Sequence, residues 1–193
     1  MKAGQPIHAH PLWRALLLET DALLGECRRE TYQGSGAGGQ KRNRVRSGIR
    51  LLHAATGLRA ENCEHREAAR NVAAALHGLR LQMALALGKA EPEKMDDGQN
   101  AEFSRLKAPA EAITRCRLEA NPAHTDYAVT AALCLMALHH GRGGIAEAAD
   151  ALQNTVPGLR CSGSALTRAL KADKAVWSAA LRLRQDFGLS PLK

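Results

Sequence analysis

The sequence predicts an α+β fold: a short mixed sheet with a packed helix over residues 1–90, a linker at 91–100, and an all-α helical domain over 101–193. Three observations predict it. Short alternating segments bounded by turn residues fall early in the chain, before residue 63. A long helical periodicity follows them. Residues 91–100 then hold Pro92, Asp96, Asp97 and Gly98 with almost nothing apolar, and every patterned segment after them has helical spacing.

Taken in order, Pro11 to Leu18 is expected to be helical, with a short turn from Asp21 to Cys27. Arg28 to Gln33 alternates as a strand and leads into a Gly-rich run. Asn43 to Gly48 is expected to form a short helix with Val45 facing inward. Ile49 to His53 and Leu58 to Asn62 flank Ala54-Ala55-Thr56-Gly57, which reads as a β-hairpin with glycine at its turn. After Arg66, the positions Ala69, Val72, Ala73, Leu76, Leu79, Met83 and Leu87 keep helical spacing, with Arg70, His77 and Arg80 on other faces, open to solvent or to a partner. Beyond the linker, Ala110 to Glu119 and Asp126 to His140 are the clearest helices, with Thr125 placed to cap the second. Gly141-Arg142-Gly143-Gly144 ends it. Ile145 to Leu152 follows, then Ala165 to Leu170 capped by Ser164. A last helix starts at Asp173 and is closed by Gly188 and Pro191.

A chain of 193 residues holds one large domain or two small ones. Aromatic residues are only 3%, so the core must be built mainly from Leu, Val, Ile and Ala. The net charge of +8 and pI near 9.6 favour an acidic partner such as nucleic acid, or else describe a protein that is simply basic. Cys27, Cys63, Cys116, Cys134 and Cys161 are scattered, with no Cys-x-x-Cys pair. That pattern argues against a disulfide framework and against structural zinc. No metal and no cofactor is expected. No stretch is long and apolar enough to span a bilayer, so no membrane role is expected and the cytoplasm is the expected location.

The most informative stretch is Gly36-Ala37-Gly38-Gly39-Gln40, followed at once by Lys41, Arg42, Arg44, Arg46 and Arg50 with no acidic residue among them. Adjacent glycines reach dihedrals closed to other residues and let a backbone approach another molecule closely. Glutamine cannot titrate, so it suits positioning and hydrogen bonding rather than proton transfer. The cations add a sequence-independent attraction to phosphates.

The run Thr31-Tyr32-Gln33-Gly34-Ser35-Gly36-Ala37-Gly38-Gly39-Gln40-Lys41-Arg42-Asn43, then Ile49-Arg50-Leu51-Leu52-His53 and Thr56-Gly57, resembles the catalytic domain of class I peptide chain release factors. The likeness continues to Arg66, Arg70 and Asn71 and covers roughly residues 20 to 87. The resemblance implies a release-factor-type catalytic domain that promotes hydrolysis of the peptidyl-tRNA ester in the peptidyl transferase centre. Gly38, Gly39 and Gln40 would be the catalytic residues. Lys41, Arg42, Asn43, Arg44, Arg46, Arg50, Arg66 and Arg70 would contact RNA. The partners would be the ribosome, through large-subunit rRNA, and peptidyl-tRNA, with the chain a monomer. Much of the proton handling would fall to RNA groups, so no protein base is required. His53, His65 and His77 sit beside no nucleophile in sequence and are not taken as bases.

Three departures from the family pattern shape the expectation. Glu67-Ala68 replaces a usual Ser-Gln pair, and Gly34 stands where Ser or Ala is usual. Fewer than forty residues precede the motif, and the stop-codon-reading element is absent. The expected activity is therefore codon-independent, in translation rescue or quality control; a non-catalytic ribosome- or RNA-binding factor is the alternative. In the second domain, Ile145 to Leu152 and Ala165 to Leu170 resemble a helix-turn-helix with too long a connection. Arg160, Arg168, Lys171, Lys174, Arg182 and Arg184 either touch nucleic-acid phosphates or solvate a bundle whose core includes Leu166, Leu170, Val176, Trp177 and Leu181.

Overall fold

A computed structural model describes residues 11–33, 46–89, 118–156 and 158–192. In chain order its elements are α1 (Pro11–Leu17), α2 (Thr20–Gly25), β1 (Cys27–Tyr32), β2 (Gly48–His53), β3 (Arg59–Asn62), α3 (Ala68–Lys89), α4 (Tyr127–His140), α5 (Ile145–Thr155), α6 (Gly163–Lys171) and α7 (Lys174–Asp186). The α+β class holds. The chain divides into two units: Leu18–Met83, and a second made of the N-terminal stretch to Leu17 together with the chain from Ala84 onward.

In the first unit the strands run in the order β1-β2-β3. Both pairings are antiparallel, a plain meander rather than a mixed sheet. Gly57, at φ +69°, supplies the left-handed residue in the β2–β3 turn, and its N–H donates to the His53 carbonyl at 2.9 Å. Side chains alternate across β2, so Ile49, Leu51 and His53 are buried while Leu52 is exposed. Along α3 the buried line in this unit is Asn71, Ala75, Leu79 and Met83, with Leu76 and Arg80 beside it. This face is rotated from the apolar one read in the sequence, since Ala69 and Ala73 are exposed. Two polar residues, Asn71 and Arg80, lie on the buried side.

Arg80, expected on an open face, is 9% exposed. Its guanidinium donates to the Leu18 carbonyl at 2.7 Å, where the chain passes toward α2. A buried guanidinium needs such an acceptor, and a free main-chain carbonyl provides it.

The second unit is helical. Eleven of the fourteen residues of α4 are buried, which makes it the axis against which α1, α5, α6 and α7 pack. The Tyr127 hydroxyl donates to the Ala169 carbonyl at 3.1 Å and ties the start of α4 to α6. Burial, reinforced by the nearby charge of Asp173, raises its phenol well above the ordinary value. The Gly141–Gly144 turn closes α4, with Gly143 at φ +82° and its carbonyl accepting from the Arg184 guanidinium of α7.

Several boundaries differ from expectation. Residues 43–45 of the helix expected over Asn43–Gly48 lie outside the described residues; Arg46 and Ser47 are not helical, and Gly48 opens β2. Residues 110–117 of the Ala110–Glu119 helix, and the linker at 91–100, also lie outside them, while Leu118 and Glu119 have no regular structure. Asp126 rather than Thr125 precedes α4, without a side-chain cap, and a turn at His124 takes the Asp126 and Tyr127 N–H groups. Ser162, not Ser164, caps α6, its Oγ accepting from the Ala165 N–H at 3.2 Å. Asp173 caps α7 as expected, accepting from Ala175 and Val176 at 2.7 and 3.1 Å. Leu166, Leu170 and Val176 are buried, whereas Trp177 and Leu181 are only partly so.

Candidate active site

The Gly-rich run joins β1 to β2, and the structure describes both of its anchor points. Gly38, Gly39, Gln40, Lys41, Arg42, Asn43 and Arg44 themselves lie outside the described residues. Tyr32 and Gly48 face each other across the antiparallel pair, so the link leaves and re-enters the sheet at one rung. A Cβ at Gly48 would lie 2.9 Å from both the Tyr32 carbonyl oxygen and its ring, too close for any side chain. The absence of a side chain there lets the tyrosine ring lie against the strand. The Arg50 guanidinium sits 5.3 Å from the centre of the same ring. Burial, with a hydrogen bond involving the Cys63 side chain as the next cause, pushes the Tyr32 phenol up to about 12.

Asn71 holds the returning end. Fully buried in the first turn of α3, it accepts from the His65 N–H at 2.9 Å. Its amide nitrogen donates to the Ser47 carbonyl at 2.7 Å and the His65 carbonyl at 2.8 Å. The Ser47 hydroxyl also reaches the His65 carbonyl, at 3.4 Å. One side chain therefore fastens the residue just before β2 to the segment leading into the helix. A carboxamide does this well because it offers acceptor and donor in one plane. Asn71 belongs to the family likeness noted in the sequence, but its bracing role was not visible there.

The cations expected at RNA separate into two kinds. Arg46 and Arg66 are exposed, and among the described residues their side chains have no partner. Arg50 lies between its cross-strand neighbours Glu30 and Glu61, with nitrogen–oxygen distances of 3.8 and 3.0 Å. Arg70 meets the Glu67 carboxylate at 3.0 Å. These pairs are solvent-exposed and individually weak, so displacing any one of the three carboxylates costs about 0.2–1 kcal/mol.

The histidines have other occupations. His53 is fully buried, with Nδ1 2.8 Å from the Thr56 hydroxyl and Nε2 3.1 Å from a Glu26 carboxylate oxygen. It links the β2–β3 turn to the start of β1. His65 is exposed and joins the Asn71 bracket through its main chain. Among the described residues, no helix is long and apolar enough to cross a membrane.

Comparison with known proteins bears on this site. The family model for the RF-1 domain matches residues 21–121, which include β1, β2, β3, α3 and the link carrying Gly38, Gly39 and Gln40. Peptide chain release factor 1 of Ureaplasma parvum serovar 3 is 35% identical over 91 residues, 46% of this chain and 23% of that protein. Peptide chain release factor 1 of Leptothrix cholodnii is 41% identical over 76 residues, 36% of this chain and 21% of the relative. That of Variovorax paradoxus is 38% identical over 79 residues, 38% and 22% respectively. The chain thus spans less than a quarter of the length of these curated relatives. No solved structure gives a significant match.

Proposed function

We propose, from the premise that this chain belongs to the RF-1 domain family of class I release-factor-like proteins, that it hydrolyses the peptidyl-tRNA ester on ribosomes or large subunits without reading a codon. The observation that carries the proposal is the Gly38-Gly39-Gln40 run, set in a link whose ends are pinned by Tyr32, Gly48 and Asn71. Attack of water on the ester builds negative charge on the former carbonyl oxygen. The backbone N–H of Gln40 stabilises that charge, and its side chain bounds the space for the water. Gly38 and Gly39 set the backbone shape and leave room beside the tRNA end. Lys41, Arg42, Asn43, Arg44, Arg46, Arg50, Arg66 and Arg70 hold the unit against large-subunit rRNA. The chain acts in the cytoplasm, as a monomer.

Release of labelled peptide from stalled ribosomes and from isolated large subunits tests the proposal. Gly39→Ala, which disturbs the backbone that aims the Gln40 N–H, should lower the rate about 10²–10³-fold, the scale of a lost oxyanion donor. Gln40→Ala, which keeps that N–H and loses only the side chain beside the water, should lower it by a smaller factor, while each protein still unfolds at its usual temperature. Wild-type turnover in both variants refutes the assignment. The Glu67–Arg70 pair favours a second reading, a non-catalytic RNA-binding factor, because it replaces a neutral polar contact by a carboxylate. That reading predicts salt-sensitive binding to ribosomal RNA with no peptide released from any substrate.

A further inference from the structure

The sheet of the first unit has one covered face and one open face. Ala60 of β3 lies toward α3, since a Cβ at Gly78 would stand 3.6 Å from its methyl group. Its cross-strand partner Leu51 is buried on that same side. Side chains alternate along a strand and directly opposed ones share a face, so the register sorts the open side into rungs. Tyr32 and Gly48 form the rung that borders the Gly-rich link. Glu30, Arg50 and Glu61 form the next, and Arg28, Leu52 and Arg59 the farthest.

The farthest rung joins two cations to an uncovered apolar side chain. Leu52 is 38% exposed, and among the described residues only Leu189 is another large hydrophobic side chain so open. Arg28 and Arg59 flank it on the neighbouring strands, and both are exposed. The two carboxylates that the strands place on this face belong to the middle rung. Glu61 meets Arg50 at 3.0 Å, and Glu30 lies 3.8 Å from Arg50 and 3.2 Å from Arg28. The Arg28–Glu30 pair is exposed and therefore weak. Arg59 has no ionic partner among the described residues.

We propose that the Arg28–Leu52–Arg59 rung is an RNA contact in its own right, with the two guanidiniums on phosphates and the sugar or base of an unpaired nucleotide over Leu52. A guanidinium offers paired donors to a phosphate and a flat face to a base. An apolar side chain between two of them suits an unpaired nucleotide, which has both a charged backbone and an apolar surface to cover it. Arg50, assigned to RNA above, is the centre of the adjoining rung, so the contact continues that surface across the sheet. The choice of RNA over an acidic protein segment rests on that ribosomal reading.

The test uses the full chain and a fluorescein-labelled RNA hairpin with an unpaired loop, affinity being followed by anisotropy across a salt series. Arg28→Ala combined with Arg59→Ala should weaken binding about tenfold and make the dependence of log affinity on log salt shallower by about 1.4, as for two single-strand phosphates. Leu52→Ser should weaken binding by a smaller factor and leave the slope unchanged, because it removes no charge. Arg28→Lys with Arg59→Lys keeps the charge and should keep the slope, which separates a lost contact from a lost fold. Arg29 is exposed, next in sequence to Arg28 and on the opposite face, so Arg29→Ala should bind as the wild type does. Wild-type affinity and slope in the double alanine variant overturn the proposal, and are the outcome expected of a face that takes an acidic protein. An Arg29→Ala loss as large as that of Arg28→Ala also overturns it, since charge anywhere would then serve. Binding is read without peptide release, so a chain that needs this rung for RNA but releases nothing would refute the hydrolase reading alone.

Discussion

Asn71 shows how much of a site can rest on one side chain. Its three hydrogen bonds are buried, so Asn71→Ala leaves the Ser47 carbonyl and the His65 N–H without their partner. The expected loss is about 1–3 kcal/mol of stability, measured by urea unfolding, with a matching fall in peptide release as the returning end of the link loosens. Unchanged stability would show that water replaces the amide. Tyr32 makes a different prediction. Its folded phenol is raised to about 12 from the ordinary 10.0, so the folded state keeps a proton that the unfolded chain gives up first. The stability it contributes is intact below pH 10 and is lost as pH rises toward 12. Tyr32→Phe should make the alkaline fall in urea midpoint shallower; an identical pH profile would count against the assigned shift. At this scale the sequence was only partly legible. The Gly-Gly-Gln run and its cations can be read from spacing and composition alone. The inward turn of Asn71, Arg80 and His53 cannot, because each needs a partner from a segment distant in the chain: the Ser47 carbonyl, the Leu18 carbonyl and the Glu26 carboxylate.

At the scale of elements, glycine contacts and caps decide where strands and helices meet. Gly48→Ala would drive a methyl group to 2.9 Å from the Tyr32 main-chain oxygen, which cannot swing aside as a side chain could. It should destabilise the protein by about 1–3 kcal/mol. A stability equal to wild type would mean that β1 and β2 can separate freely at that rung. Asp173→Ala should cost about 1 kcal/mol through the lost cap of α7, and Asp173→Ser should recover most of it; thermal unfolding of the three proteins checks both. The Asp173 cap was legible because an acceptor directly precedes a strongly patterned helix. The choice of Ser162 over Ser164 was not. Both serines could accept from the first turn, and nothing local in the sequence decides between them.

At the scale of the whole molecule, an RF-1 domain unit, whose sheet pins both ends of a Gly-Gly-Gln link, is followed along the chain by a helical unit. The α+β followed by all-α order was legible because strand and helix periodicities occupy different parts of the chain. The grouping of α1 with the later helices was not, since it depends on burial of Trp13, Ala15 and Leu16 rather than on position in the sequence. If the proposed hydrolysis depends on a main-chain donor at residue 40, removing that hydrogen alone should matter most. The direct measurement is the single-turnover rate of peptide release from ribosomes lacking a stop codon, comparing the wild type with Gln40→Pro, which has no N–H to give. The account predicts a drop of at least about 10²-fold with RNA affinity retained. Release by Gln40→Pro at the wild-type rate would contradict it.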